Sequence, residues 1–386
     1  LSHRQRQMCI RDSSMHSKNK NITTITTCTG CLACMNKCPK DCIYTIKNQI
    51  GHISPIVREN ACIDCGICLN VCPENTPVNL SFPANTWAAW SKDENIREQS
   101  SSGALATVCA KEVIEKGGIV YGCAFIPPFT FKHIRCSNTE DITQLKGSKY
   151  VQSDISEVYS SISADLKEGL KVLFIGVPCQ VAAIKTYFQD HIHLTTIDLV
   201  CHGVPPVELL KKSLPKQISN SPFDEVKFRT GTKFCFSIKI KNSTSILYQR
   251  PLHKDLFMKG FFTALFYREC CYQCKYARIE RSGDITLGDF WGVSDELKTD
   301  IDKGISLVLQ NTNKGNVLCK AIDNQIAYMK RPLQEAIQGN KQLQKPMKKT
   351  FRSRIFKTLY PYFGFHISVA LSIPEIYIKN KLCLLY

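Results

Sequence analysis

The residues that could do chemistry here are first of all cysteines. Two runs, Cys28-Thr-Gly-Cys31-Leu-Ala-Cys34-Met-Asn-Lys-Cys38-Pro39 and Cys62-Ile-Asp-Cys65-Gly-Ile-Cys68-Leu-Asn-Val-Cys72-Pro73, both read C-x-x-C-x-x-C-x-x-x-C-P. Three thiolates at three-residue steps wrap one 4Fe–4S cube, and the fourth, before proline, reaches the other. The spacing therefore predicts one cluster on Cys28, Cys31, Cys34 and Cys72 and a second on Cys62, Cys65, Cys68 and Cys38. Gly30 and Gly66 are expected to let the backbone approach the cluster sulfides, and Pro39 and Pro73 to turn the chain away afterwards. Zinc favours two separated C-x-x-C pairs rather than four cysteines in one run. A disulfide framework would go with a secretory signal, and no such pattern is seen. Cys42, just past the first run, reads as a buried bystander.

Four further cysteines sit where loops could converge. Cys179 and Cys201 follow runs, Lys171–Ile175 and Thr195–Val200, that read as buried strands, while Cys271 and Cys274 form a C-x-x-C. A third cube needs four thiolates. Cys270 could replace Cys271, and a lone C-x-x-C could instead bind zinc or act as a redox dithiol.

The elements that must position these groups follow from pattern. Residues 21–80 read as an α+β, ferredoxin-like module with short strands at residues 43–46 and 53–57. Residues 84–335 read as an α/β core with a mostly parallel sheet, because strand, loop and helix alternate through residues 155–200. Ligands in such sheets sit beyond the carboxyl ends of the strands, which is where Cys179 and Cys201 fall. Residues 223–248 read as a β-hairpin insertion. Ser102 and Gly103 precede an apolar helix, so they are either an ordinary cap or an anion site. The loop Gln144–Ser153, with Lys146, Gly147, Ser148, Lys149, Gln152 and Ser153, suits pyrophosphate or flavin oxygens, or is a solvated loop. Residues 336–386 read as a basic tail, with seven basic residues and no acid between Lys341 and Lys357. Such a run is usually a solvated helix; the other reading is a docking surface for an acidic partner or a membrane.

From about Trp87 to Gln344 the sequence resembles the beta subunit family of coenzyme F420-reducing hydrogenase and dehydrogenase. The stretches that carry the resemblance are Lys146-Gly-Ser-Lys-Tyr-Val-Gln-Ser153, Gly176-Val-Pro-Cys-Gln180, Val200-Cys-His-Gly203, Cys271-Tyr-Gln-Cys-Lys-Tyr276 and Asp284-Ile-Thr-Leu-Gly-Asp-Phe-Trp-Gly292. The resemblance implies an iron–sulfur flavoprotein oxidoreductase that carries FAD beside a 4Fe–4S cluster on Cys179, Cys201, Cys271 and Cys274. It would link a hydride donor or acceptor, deazaflavin-like or unknown, to a redox protein partner. The alternative is an electron-transfer subunit without a substrate of its own. No G-x-G-x-x-G fingerprint is present, so the resemblance points to a flavin site on Ser102, Gly103, Gly147, Ser148, Lys149, Gln152 and Ser153. Lys149 would stabilise an anionic reduced flavin, and His202 and Asp289 would handle protons; a loop hydrogen bond and a salt bridge are their plain structural readings.

With 386 residues, 44% of them hydrophobic, the chain has room for two or three domains and a buried core. The 21 cysteines imply a reducing, anaerobic cytoplasm. The net charge of +17 suits acidic electron carriers, an anionic membrane surface or nucleic acid. Nucleic acid is set aside because no helix-turn-helix, zinc finger or aromatic-interleaved basic motif occurs. Residues 1–20 are expected to be a non-native or disordered leader with the native start at Met15, so that Cys9 is no ligand. No run of 18 uninterrupted apolar residues occurs, so no transmembrane helix is expected.

Overall fold

The structure, a computed structural model, describes residues 20–240, 245–293, 297 and 301–375. The expected leader up to residue 19, the start at Met15 and the end of the basic tail lie outside the described residues.

The N-terminal module places two short helices, Ala33–Lys37 and Ile67–Asn70, directly after the second cysteine of each run. Each helix starts from a left-handed residue, Leu32 at φ 60° and Gly66 at φ 74°. Strands β1 (Ile43–Lys47) and β2 (Ile53–Val57) pair antiparallel between the runs, as their alternation predicts. The module does not have a core of its own. Ala33, Cys34, Ile43 and Val57 share one apolar cluster with Tyr159, Ile162, Phe174 and Ile184 of the following domain.

That domain is built on one eight-stranded sheet. Its strands are β3 (Asn85–Ser91), β4 (Ile119–Ile126), β5 (Thr130–Cys136), β6 (Val172–Gly176), β7 (Leu194–Leu199), β11 (Ile285–Asp289), β12 (Ser306–Gln310) and β13 (Ile326–Lys330). The order is β13-β3-β12-β11-β7-β6-β4-β5. Only the central block β11-β7-β6-β4 is parallel, while β5 on one side and β12, β3 and β13 on the other run antiparallel to their neighbours. The expected mostly parallel sheet is therefore a mixed one. β5 follows β4 after three residues, too few for a crossover, so the pair closes as a hairpin. β3 is the earliest strand of this domain, yet it enters between β12 and β13, a long-range choice that no local pattern encodes.

The parallel block aligns the loops after β6 and β7 at one edge of the sheet. Helix α1 (Pro178–Phe188) begins there with proline in its first turn and Cys179 beside it. The expected insertion is a separate three-stranded antiparallel sheet, β8 (Glu225–Thr230), β9 (Lys233–Lys239) and β10 (Ile246–Pro251). It packs Phe228, Phe236 and Ile238 against Phe257, Phe266 and Phe356.

The basic segment is not a solvated tail. Helix α2 (Phe351–Ser372) buries Phe356, Phe365 and Val369 in that same cluster. Pro361 and Gly364, the latter at φ 67°, kink it so that both halves reach the core. Lys349 and Lys357 pair with Glu269 at 2.7 and 2.5 Å.

Candidate functional site

The two cysteine runs exchange their last members in space. One small cavity is lined by Cys38, Cys62, Cys65 and Cys68, so the first run's fourth cysteine stands with the second run's three. Cys34 has Cys31, Cys28 and Cys72 as its charge neighbours. These are the two ligand sets that the spacing predicts. Burial, opposed by local hydrogen bonds, pushes the Cys31 thiol up to about 12, and burial raises that of Cys34 as well. Such crowded, buried thiols stay protonated until a cation gathers them. Cys42 is buried, as expected, and it lines the second-run cavity with its sulfur 3.4 Å from that of Cys38.

The third group lies in the following domain. Cys179, Cys201, Cys271 and Cys274 line one cavity of about 70 Å³, together with Cys270, His202, Tyr276 and Arg281. Cys179 comes from the start of α1, Cys201 from the end of β7, and Cys271 and Cys274 from the one-turn helix Glu269–Gln273 and its exit. Burial raises the thiols of Cys179 and Cys201, and that of Cys274 to about 11. Cys271 moves the other way, chiefly through its hydrogen bond with Cys270. Among the described residues no three His, Cys, Asp or Glu side chains close around a single metal ion. All three donor sets are cysteines in fours, the chemistry of a 4Fe–4S cube, and they fit that group.

The first-run set and the domain set are neighbours. Thr27, Thr29 and Glu74 of the module line the domain cavity, and Cys31 is a charge neighbour of Cys179. Tyr159 donates to the Cys31 carbonyl at 2.9 Å, and Tyr276 has Cys179, Cys31 and Cys274 around it. Lys275 bonds the Pro73 carbonyl and meets Glu74 at 3.3 Å. The three sets thus run in series: domain cavity, first-run set, second-run set. The far end is the most open one, with Cys65 exposed and Lys20 and Lys40 at its rim.

Several residues that position this series escaped the sequence reading. The buried Arg268 guanidinium donates to the Ile53 carbonyl at 2.7 Å and to Gln152 Oε1 at 2.7 and 3.2 Å, while Gln152 Nε2 donates to the Thr29 carbonyl at 3.4 Å. A Cβ on Gly30 would lie 2.6 Å from Arg268 Nη2, so Gly30 is reserved for this clamp as well as for its φ of +72°. Gly66, its counterpart in the second run, has only the Lys20 carbonyl at 3.8 Å and is needed for its turn alone. The repeat is therefore symmetric in cysteines and asymmetric in packing.

Arg281 is the second clamp. It donates to Asp198 at 2.9 and 3.3 Å, to Thr286 Oγ1 at 3.2 Å and to the carbonyls of Tyr276, Arg278 and Leu199. It joins the loop after Cys274 to the strand before Cys201. A basic residue shortly after a C-x-x-C was visible in the sequence; its partner, 83 residues upstream, was not.

The predicted flavin residues are brought together only in part. Ser148 reaches Ser101 through its N–H and its hydroxyl, both at 3.0 Å, so the 144–153 loop does meet the turn before helix Leu105–Glu115. Gly147 has open space where a Cβ would stand. The other donors are engaged inside the protein. Ser102 donates to the Ile305 carbonyl at 2.7 Å, and the Gly103 N–H donates to Ser306 Oγ at 2.9 Å. Ser153 Oγ accepts from Gln180 at 3.0 Å, and Gln152 belongs to the Arg268 clamp. Lys149 Nζ donates to the carbonyls of Gln144, Leu145 and Lys146, the C-terminal end of a short helix. Burial draws its pKa down to about 8. A phosphate cradle on these groups is closed in this conformation. Asp289 accepts two bonds from the buried Arg229, at 2.8 and 3.0 Å, which is the salt-bridge reading of that residue. His202 sits in the wall of the domain cavity, and its burial lowers its pKa against the pull of Asp289.

Comparison with known proteins covers both the cysteine runs and the following domain. Residues 27–76 match the 4Fe-4S dicluster domain. Residues 86–160 match the N-terminal, and residues 169–335 the C-terminal, domain of the coenzyme F420 hydrogenase/dehydrogenase beta subunit. The chain belongs to the coenzyme F420 hydrogenase/dehydrogenase beta subunit family. No curated protein matches it. Among solved structures, a chain of the F420-reducing NiFe hydrogenase complex from Methanosarcina barkeri is similar at 19% identity and a TM-score of 0.47, over 68% of this chain and 90% of that one. The Cys179–Cys201 loops and the Cys271–Cys274 pair fall inside the match to the beta subunit's C-terminal domain, and both cysteine runs fall inside the dicluster match. No helix among the described residues is long and apolar enough to cross a membrane.

Proposed function

We propose that this beta-subunit-family chain is the electron-conducting part of an oxidoreductase, with three 4Fe–4S clusters in series. The supporting observation is that three cysteine quartets adjoin in order, from the domain cavity through the first run to the exposed second run. Bound there, iron–sulfur clusters supply one-electron transfer. The chain's own residues hold the distances. Arg268 and Gln152 fix the module to the domain, Arg281 fixes the Cys274 loop to β7, and Tyr159 and Tyr276 fill the gap between the first-run and domain sets. The Lys20 and Lys40 rim of the second-run site suits an acidic redox protein partner. Anaerobic iron and sulfide counts near twelve of each per chain, from about four per cube, test this reading; counts near eight remove the domain cluster from it.

The second reading adds FAD and a hydride donor or acceptor, deazaflavin-like or unknown, which makes the chain an enzyme in its own right. What favours it is the meeting of Ser148 with the Ser101 turn beside the open Gly147. A flavin would convert electron pairs into single electrons. An acid-released yellow chromophore at about one per chain supports it. If Lys149→Ala binds and reduces flavin as the parent does, Lys149 is a helix cap and the flavin lies elsewhere.

A further inference from the structure

Helix α2 carries more exposed apolar surface than its packing explains. Its inner face is spent: Ser353, Phe356, Phe365, Ser368, Val369 and Ser372 are buried. On the opposite face Phe351, Ile355, Leu359 and Tyr362 recur at steps of four, four and three, one stripe of an α-helix. Its ends are the most open, Phe351 at 74% and Tyr362 at 81% exposure. At and beyond the kink, Phe363, Ile367 and Leu371 are each more than half exposed. Large apolar side chains at such exposure are not repaid by anything among the described residues.

Cations outnumber acids at the start of this helix. Lys345, Lys348 and Arg354 are exposed, and none has a carboxylate partner among the described residues. Of the acids that approach, Glu269 is paired with Lys349 and Lys357 and Glu375 with Arg352, while Glu208 acts on Tyr360. The helix thus combines an apolar outer stripe, aromatic at both ends, with unneutralised cations at its start, and it cannot span a bilayer. An interfacial helix lies in the headgroup plane with its apolar side chains inserted and its cations against anionic lipid.

We propose that the outer face of α2 docks this chain on an anionic membrane surface. Phe351, Tyr362, Phe363, Ile367 and Leu371 would enter the acyl boundary, and Lys345, Lys348 and Arg354 would meet lipid headgroups. An anionic lipid surface matches both halves of the patch, and the net charge of +17 draws the whole chain toward it. The proposal does not rest on the number of clusters.

The test is flotation of the full, anaerobically reconstituted chain with vesicles of phosphatidylcholine alone and of phosphatidylcholine mixed with phosphatidylglycerol. Binding to the anionic vesicles is expected, weakened by salt. Phe351→Ser with Tyr362→Ser should lower the bound-to-free ratio by about tenfold or more. Each of Lys345→Gln, Lys348→Gln and Arg354→Gln should lower it by about fivefold. All these side chains point outward, so iron content and melting temperature should stay at parent values, and they serve as the folding control. Equal binding to neutral and anionic vesicles, no binding at all, or variants that bind as the parent does would overturn the proposal. So would a parent dimer that the Phe351/Tyr362 variant dissolves, because the face would then belong to a second copy.

Discussion

Breaking the Arg281–Asp198 pair is expected to loosen the domain cluster site and the fold together. Both side chains are nearly inaccessible, at 2% and 0% exposure. Arg281 makes six hydrogen bonds to five acceptors, and Asp198 also accepts from Ser282 Oγ at 3.1 Å and from the Gly283 N–H at 2.8 Å. In Arg281→Gln the Asp198 carboxylate stays buried without its counter-charge, a loss of about 3–5 kcal/mol for removing one partner of such a pair. Unfolding entropy near the midpoint is roughly 2 cal/mol/K per residue, which over 386 residues is about 0.8 kcal/mol/K. The expected fall in melting temperature is therefore about 4–6 °C, if the chain melts as one unit. Asp198→Asn should cost a comparable amount, because Arg281 is then the unpaired charge. The double variant should cost less than the sum of the two, by about 1–3 kcal/mol of coupling. The assay is anaerobic calorimetry of the reconstituted parent, both single variants and the double variant, with iron counted on each. Iron should fall by up to about four per chain in Arg281→Gln, because the loop bearing Cys274 loses its tie to β7. Additive single-variant effects below about 1 kcal/mol, with iron unchanged, would refute the argument that this pair positions the site.

Cys274→Ala should remove about four irons per chain by colorimetric assay, while Cys34→Ala should remove a cube and also destabilise the shared apolar cluster; zinc in place of iron would contradict both. Arg268→Ala should slow electron transfer between the domain and module clusters in rapid-mixing experiments, because the module loses its ties at Ile53 and Gln152. Gly30→Ala should cost several times more stability than Gly66→Ala, whose cost of about 1 kcal/mol is that of left-handed backbone alone, and equal costs in urea titrations would contradict the clamp. His52 and His133 are buried and held neutral, with pKa values lowered to about 3 and about 4 mainly by desolvation. The unfolded chain therefore binds protons that the folded one refuses, and stability should fall as pH drops from about 6.5 towards 4, by on the order of 2 kcal/mol per histidine. A urea midpoint flat across that range would show that neither ring resists protonation.

The sequence by itself determined the two cysteine quartets, including the exchange of Cys38 and Cys72, because cube geometry fixes ligand spacing along the chain. It also determined strands β1, β2, β6 and β7, whose apolar patterns are local, and the placing of Cys179 and Cys201 at the carboxyl ends of parallel strands. The β4–β5 hairpin was legible from its three-residue connection, but the rest of the mixed sheet was out of reach: β3 is a short apolar strand, and only packing decides that it runs antiparallel between β12 and β13. The same holds for the clamps. Arg281 finds Asp198, and Arg268 finds Gln152 and Ile53, across more than 80 residues of chain, so each looked like an ordinary surface cation. Ser102, Gly103, Lys149 and Ser153 had the composition of an anion site, but the fold brought carbonyls and side chains against them that satisfied them first. The basic C-terminal run was read as solvated because charge dominates its composition. Tertiary structure turned Phe356, Phe365 and Val369 of that run into core, since a kinked helix can bury one face while its cations stay on the other.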